Sequence, residues 1–414
     1  MRGNDTGLYR QGVPVRPDIG LSSDEVGHAE RVREAIAADI AAAGGWISFE
    51  HYMDLALYAP GLGYYSAGAH KLGAGGDFTT APELSSLFGA CVAKQCAEVL
   101  DEIGHGSILE VGAGTGRLAA DILARLDGLN RLPVHYLILE VSADLRERQR
   151  ILLSSALPHL LDRVRWLEVL PAPFDGVILA NEVLDALPVA RFRYTGGEYE
   201  ELGVGFKDGE FLQVARPAAA AMTESCRRLV PGAFPALGIR DSDDFSDPWE
   251  GYVSEYCPTL QPWAVAIAAC LNKGVILWMD YGLPRAQYYL VERHEGTLLC
   301  HFRQRAHDDP FLYPGLQDIT GWVDFTSLAE AGRMAHFEVG GFTTQTFFLA
   351  GLGIDEEMQR IAGPDAILFA RLAIQARQLM LPGVMGECFK AMAWLRGIDR
   401  PLSGFALQDL RHTL

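Results

Sequence analysis

Apolar residues first recur at helical spacing in HAERVREAIAADIAAAGG, where Val32, Ile36 and Ile40 share one face and Gly44-Gly45 stops the run. Residues 1–27 ahead of it are rich in Gly, Pro, Asp and Arg without hydrophobic period and read as a mobile tail. WISFEHYMDLALYAPGLGYY predicts a second helix that stops at Pro60, Gly61 and Gly63, with its aromatics read as packing. In HKLGAGGDFTTAPELSSLFG, glycines lead into Asp77, Phe78, Thr79 and Thr80, and Pro82 and Glu83 open a helix to about Leu100. That loop is either a ligand rim or an ordinary helix cap, with Thr79 or Thr80 capping and Glu83 complementing the dipole.

From Ser107 the pattern changes to short apolar runs: SILEVG, HYLILEVS, RVRWLEVL, FDGVILANE and GVILWMDYG, with helical segments expected between the first four. Such alternation predicts an α/β fold with a parallel sheet. About 90 residues separate the fourth run from the fifth, more than a crossover needs, so a segment of roughly 192–262 is inserted there. Its runs RFRYT, EYEELGVGF, EFLQVAR and GYVSEYC, turning at Gly196-Gly197 and Asp208-Gly209, predict hairpins of a small α+β cap, with acidic RDSDDFSDPWE as a solvated loop. After the fifth run comes a long loop, then a helix at 325–332. FEVGGFTTQTFFLAGLGI reads as a pair of antiparallel strands, and helices follow to the C-terminus with a break at Leu381-Pro382-Gly383.

Composition narrows the class. A net charge of -18 over 414 residues, with Lys and Arg scattered, argues against a nucleic-acid footprint. No apolar run approaches the roughly 20 residues that span a bilayer. The seven cysteines show no metal-ligand spacing and point to a reducing, cytoplasmic setting, and no metal site is expected.

The chemistry concentrates in ILEVGAGTGR. A strand ending at Glu110, glycines at 112, 114 and 116 and a following helix build a nucleotide turn. A dinucleotide needs a small residue where this chain has Arg117, so that ligand is disfavoured. An acid just ahead of the turn suits a sulfonium and an ammonium better than a pyrophosphate. Glu140, ending the next strand 24 residues beyond Gly116, can accept both ribose hydroxyls. The fourth strand delivers Asn181, Glu182 and Asp185, and the fifth delivers Asp280, Tyr281 and Gly282, to the edge where ligands of parallel sheets bind.

GDFTTAPELSSLFG, LEVGAGTGRL, LILEVS, ANEVLDALPVARF, MDYG and PGLQDITGWVDF stand in the order found in the MidA family of class I methyltransferases, which the chain resembles from about residue 45 to 352 and again at LPGVMGECFKAM. This family is the bacterial kin of a mitochondrial arginine methyltransferase that serves complex I assembly. The resemblance implies an α/β, Rossmann-like class I methyltransferase sheet of seven mostly parallel strands, with the inserted α+β cap and helical N- and C-terminal extensions. The division expected is a tail (1–27), a helical region with lid (28–100), the methyltransferase domain (101–191 and 263–352), the cap (192–262) and a helical C-terminal region (353–414).

It further implies S-adenosyl-L-methionine as cofactor, held by Glu110, Gly112, Gly114, Gly116, Glu140 and Asn181. Glu182, Asp185 and Asp77 are implied as catalytic, and Thr79, Glu83, Asp280, Asp318 and Asp324 as substrate-binding. The implied partner is a protein, such as a subunit of the respiratory NADH dehydrogenase, methylated on arginine. Two alternatives stay open: a small-molecule or other-residue methyltransferase, and a cofactor-binding assembly factor without catalysis. Departures from the family are Ala113, where many relatives have Pro, and Asn181, where eukaryotic relatives have His; the second leaves the acceptor open.

Overall fold

The computed structural model describes residues 20–67, 80–230 and 248–414. Asp77, Thr79, most of the predicted tail, the glycine-rich loop and most of the acidic segment lie outside them. Helix α1 (Ser23–Ala42) starts ahead of the predicted His28, because Ser22 and Glu25 form a reciprocal capping box; Val32, Ile36 and Ile40 are buried as their spacing requires. After β1 (Ile47–Ser48), Ser48 caps α2 (Phe49–Tyr58). The single helix expected up to about Leu100 is broken: α3 (Ala81–Leu84) ends at Ser85, whose extended backbone lets its hydroxyl accept from Leu87 N and cap α4 (Ser86–Ile103).

The chain then alternates β2 (Ser107–Val111), α5 (Arg117–Gly128), β3 (Tyr136–Leu139), α6 (Ala143–Ala156), β4 (Val164–Leu167) and β5 (Phe174–Asn181). No helix links β4 to β5, contrary to the alternation expected; Leu167 and Phe174 lie too close in sequence for one. Next come β6 (Ala190–Thr195), β7 (Glu198–Lys207), β8 (Glu210–Pro217), α7 (Ala220–Leu229) and β9 (Val253–Tyr256). Both hairpin turns are left-handed throughout, with φ of 58° and 84° at Gly196 and Gly197 and of 52° and 85° at Asp208 and Gly209. The chain closes with α8 (Leu260–Ala268), β10 (Leu271–Leu283), α9 (Arg285–Tyr288), β11 (Leu299–Phe302), β12 (Arg305–His307), β13 (Asp318–Thr320), β14 (Val323–Asp324), α10 (Phe325–Met334), β15 (Glu338–Thr344), α11 (Gln345–Gly351), α12 (Ile354–Ala362), α13 (Ala366–Met380) and β16 (Phe389–Arg396).

The main sheet runs β15-β16-β10-β5-β2-β3-β4, with β14 pairing the end of β10. From β10 to β4 every pairing is parallel, while β16 is antiparallel to both its neighbours. The middle of β10, residues 275–279, is an unbroken apolar run because helices cover both faces of the sheet. One face packs on α4, α5, α11 and α13, the other on α8 and α10.

Two readings of the chain beyond β15 are corrected. The partner of β15 is β16, and QTFFLAG forms α11 in place of a strand; apolar runs this short do not reveal their own period. The C-terminal region is therefore not wholly helical. The insertion forms a second sheet, β1-β7-β6-β9 with β8 on β7, so the region between residues 28 and 100 contributes a strand to it, and the sheet begins at Ala190. The long loop after β10 contains a third sheet, β12-β11-β13.

Trp394 of β16 is fully buried, edge-on to Trp278 of β10 at 5.0 Å between ring centroids. Trp394→Ala is expected to lower unfolding free energy by about 3–5 kcal/mol, read from the urea midpoint.

Candidate active site

The strands β2, β3, β5 and β10 end along one edge of the sheet, and the chain leaves β2 there in a left-handed turn. Gly112, Gly114 and Gly116 have φ of 67°, 53° and 86°, which an L side chain adopts only under strain. Space is equally limiting: a Cβ on Gly112 would meet Val183 at 3.1 Å, and one on Gly116 would meet the Gln149 side chain at 3.1 Å. Gly116 caps α5 without a side chain, so the positive end of that helix faces the turn.

Glu140, just past β3, is buried, and burial raises its pKa above the usual carboxylate range. Its Oε1 accepts from Ser142 N at 2.9 Å and its Oε2 from Gln149 Nε2 at 3.3 Å. Gln149 Nε2 also donates to Gly114 O at 2.8 Å, and Gln149 Oε1 accepts from Trp166 Nε1 at 2.9 Å. Gln149 therefore clips the acid of β3 to the glycine turn. It went unnoticed in the sequence because a glutamine within a polar helix carries no signal of its own.

A cavity of about 910 Å³ lies over these groups and continues past Asn181, Glu182 and Val183 to Tyr58 and Tyr65. Glu182 stands on a left-handed backbone, φ 52°, unusual for a residue with a Cβ. Its Oε1 accepts from Asn181 Nδ2 at 3.2 Å and from Ala81 N at 3.4 Å. Burial, reinforced by the neighbouring Asp185 carboxylate, pushes its pKa up to about 8. Asp185 is buried, which raises its pKa as well, and its Oδ2 accepts from the Tyr281 hydroxyl. Asp318 is buried and accepts from the Tyr65 hydroxyl at 3.0 Å. Tyr58 donates to Ala186 O at 2.8 Å and stacks on Tyr65 at 5.5 Å. These two tyrosines, read as packing from the sequence, form a wall of the cavity.

Four predicted site acids are used differently. Asp280 does not border the cavity; its carboxylate is 1% exposed and taken up by backbone amides of residues 183, 184, 185 and 281. Asp324 caps α10 and pairs with Arg285 at 3.2 Å. Glu83 borders the cavity, but its carboxylate accepts from the Thr115 hydroxyl in the glycine turn. Glu110 also borders the cavity, but its carboxylate accepts from the Tyr136 hydroxyl at 2.6 Å, and burial pushes its pKa up to about 7. Asp77 and Thr79 fall outside the described residues. Among the described residues no helix is long and apolar enough to cross a membrane, and no group of three or more His, Cys, Asp or Glu could hold a metal ion.

Comparison with known proteins agrees with a nucleoside site. The model of an S-adenosyl-L-methionine-dependent methyltransferase family matches residues 91–343. The chain is 31% identical over 388 residues to the Danio rerio mitochondrial protein arginine methyltransferase NDUFAF7, covering 84% of this chain and 83% of that one. It is 28% identical to the Caenorhabditis elegans homologue, over 92% and 89% of the two chains. A Burkholderia thailandensis crystal structure bound to S-adenosyl-homocysteine superposes with a TM-score of 0.88 at 41% identity, over 97% of this chain and all of that one.

Gly112→Ala places a methyl group on a left-handed residue against Val183. It is expected to weaken S-adenosyl-homocysteine binding roughly 5- to 150-fold in calorimetric titration, equivalent to about 1–3 kcal/mol of backbone strain.

Proposed function

The chain belongs to the MidA family of S-adenosyl-L-methionine-dependent methyltransferases, and on that premise we propose that it methylates an arginine side chain of a protein. The observation that carries this reading is one cavity lined by the cofactor turn, Glu182 and a stacked tyrosine pair, with Asp185 beside Glu182 and Asp318 bonded to Tyr65, in a chain whose relatives are named protein arginine methyltransferases. A subunit of the respiratory NADH dehydrogenase is the acceptor we favour. We read the main sheet as the seven-stranded Rossmann-like sheet of class I methyltransferases, and the second sheet as a cap that selects the acceptor.

The residues present fit the cofactor. Backbone without Cβ at Gly112, Gly114 and Gly116 leaves room for it, and Glu140, held by Ser142 and Gln149, is placed to accept its ribose hydroxyls. When bound, S-adenosyl-L-methionine supplies an electrophilic methyl group on a sulfonium for in-line displacement.

An arginine guanidinium is a weak nucleophile because its nitrogen lone pairs are delocalised. Glu182, accepting an N–H from it, draws positive charge toward one side of the plane and orients a nitrogen for attack. As the new N–C bond forms, that nitrogen releases its proton to Glu182, whose raised pKa suits it to receive one. The faces of Tyr58 and Tyr65 line the approach, where a planar cation gains from stacking.

Incubating the enzyme with labelled cofactor and extract of a strain that lacks it, then locating the label by mass spectrometry, tests the proposal: label on an arginine is expected, and label solely on small molecules or other residues refutes it. Glu182→Gln is expected to slow transfer by about 10² to 10⁴ while leaving S-adenosyl-homocysteine affinity within about twofold. For the wild type, the rate at limiting acceptor should rise about tenfold per pH unit and level off near pH 8, since Glu182 must be ionised to accept the proton.

A further inference from the structure

The segment carrying Glu182 and Asp185 is held by two consecutive residues of β10. Oδ2 of Asp280 accepts from Val183 N at 3.2 Å, Leu184 N at 2.9 Å and Asp185 N at 3.3 Å, while its Oδ1 accepts from Tyr281 N at 2.9 Å. Three successive amides converging on one oxygen form a backbone nest, a concavity that follows a left-handed residue, here Glu182. Such nests usually hold a ligand anion; in this protein the anion is the chain's own carboxylate. Asparagine cannot replace it, because it keeps one acceptor oxygen and sets an NH₂ group among donors.

Tyr281 acts on the next polar group. Its hydroxyl donates to Oδ2 of Asp185, and Oδ1 of Asp185 is buried with no hydrogen-bond partner among the described residues. One oxygen of Asp185 is thus fixed by a hydroxyl of β10. Asp185, Asp280 and Tyr281 do not border the cavity, whereas Asn181, Glu182, Val183 and Ala186 do.

We infer that Asp280 and Tyr281 are positioning residues for methyl transfer: Asp280 sustains the left-handed turn that aims Glu182, and Tyr281, through Asp185, ties down the stretch between Glu182 and the cavity-lining Ala186. The inference rests on the reading of Glu182 as the proton-accepting carboxylate. A left-handed glutamate persists only where its surroundings over-determine it, and the Asp280 nest, with the bond from Glu182 N to Met279 O at 2.9 Å, provides that. The cofactor end of the cavity, on β2 and β3, takes part in neither contact and meets this segment only through the Val183 side chain, so cofactor affinity should respond far less than transfer to substitution here.

The test compares full-length Asp280→Asn, Tyr281→Phe and Glu182→Gln with the wild type. Titration with S-adenosyl-homocysteine should give affinities within about twofold for all of them. Hydrogen–deuterium exchange read by mass spectrometry should accelerate in Asp280→Asn across residues 181–187 and stay unchanged across 108–118 and 136–142. In transfer from labelled cofactor to extract, the KM for S-adenosyl-L-methionine should hold while the limiting rate falls, by about a hundredfold in Asp280→Asn and about tenfold in Tyr281→Phe. The Tyr281→Phe ring still packs on Phe389 at 5.4 Å, so this variant decides the matter if Asp280→Asn fails to fold.

Wild-type transfer by Asp280→Asn or Tyr281→Phe beside an inactive Glu182→Gln overturns the inference, as does a loss of cofactor affinity that parallels the loss of rate. Wild-type transfer by Glu182→Gln instead refutes the reading of that residue, and unchanged exchange over 181–187 in Asp280→Asn separately refutes the anchoring.

Discussion

A parallel sheet obliges each strand to leave the same edge abruptly, and in this protein the backbone meets that constraint by turning left-handed. β2 does so with three glycines, and β5 does so with Glu182. The two solutions have opposite consequences. Glycine removes the side chain and makes room for a ligand, whereas glutamate keeps the side chain and presents it. Val183 joins them, since its side chain is the atom group that a Cβ on Gly112 would strike. The methyl-donor end and the acceptor end are thus built against each other.

Burial rather than pairing sets the electrostatics of this edge. Glu110, Glu182, Asp185 and Asp280 all have raised pKa values, with desolvation as the largest cause. Carboxyls in such surroundings gain most when a cation arrives, and the cofactor and the proposed guanidinium acceptor both carry one. The hydroxyls of Tyr65, Tyr136 and Tyr281 each donate one bond, to Asp318, Glu110 and Asp185, without adding positive charge. That leaves the demand for a cation in place.

What was legible in the sequence was local. The glycine turn, the helix α1 face and the hairpin turns each follow from a handful of neighbouring residues whose backbone needs allow few alternatives. The acids were less legible, because an aspartate at a strand end reads the same whether it faces a ligand or a row of amides. Asp280 and Asp324 proved to serve backbone amides, and Glu83 to serve the Thr115 hydroxyl. Gln149, Tyr58 and Tyr65 gave no signal, since their contacts reach across 35, 128 and 253 positions of chain. The C-terminal strand was misread for a related reason: a short apolar run takes its period from the partner it finds, and β16 finds two.

The placement of β16 bears on how the molecule is made. β10 follows its parallel neighbour β5 in the chain, but its other edge waits for a strand that begins at Phe389, 106 residues after Leu283. During synthesis at about 5–20 residues per second, that edge is bare for several seconds, with Trp278 lacking the Trp394 ring that packs edge-on to it. An uncovered apolar strand is a template for foreign pairing. The nascent chain therefore passes through a window in which a strand destined for burial is at its most adhesive, and a ribosome-bound chaperone would be most useful in that interval.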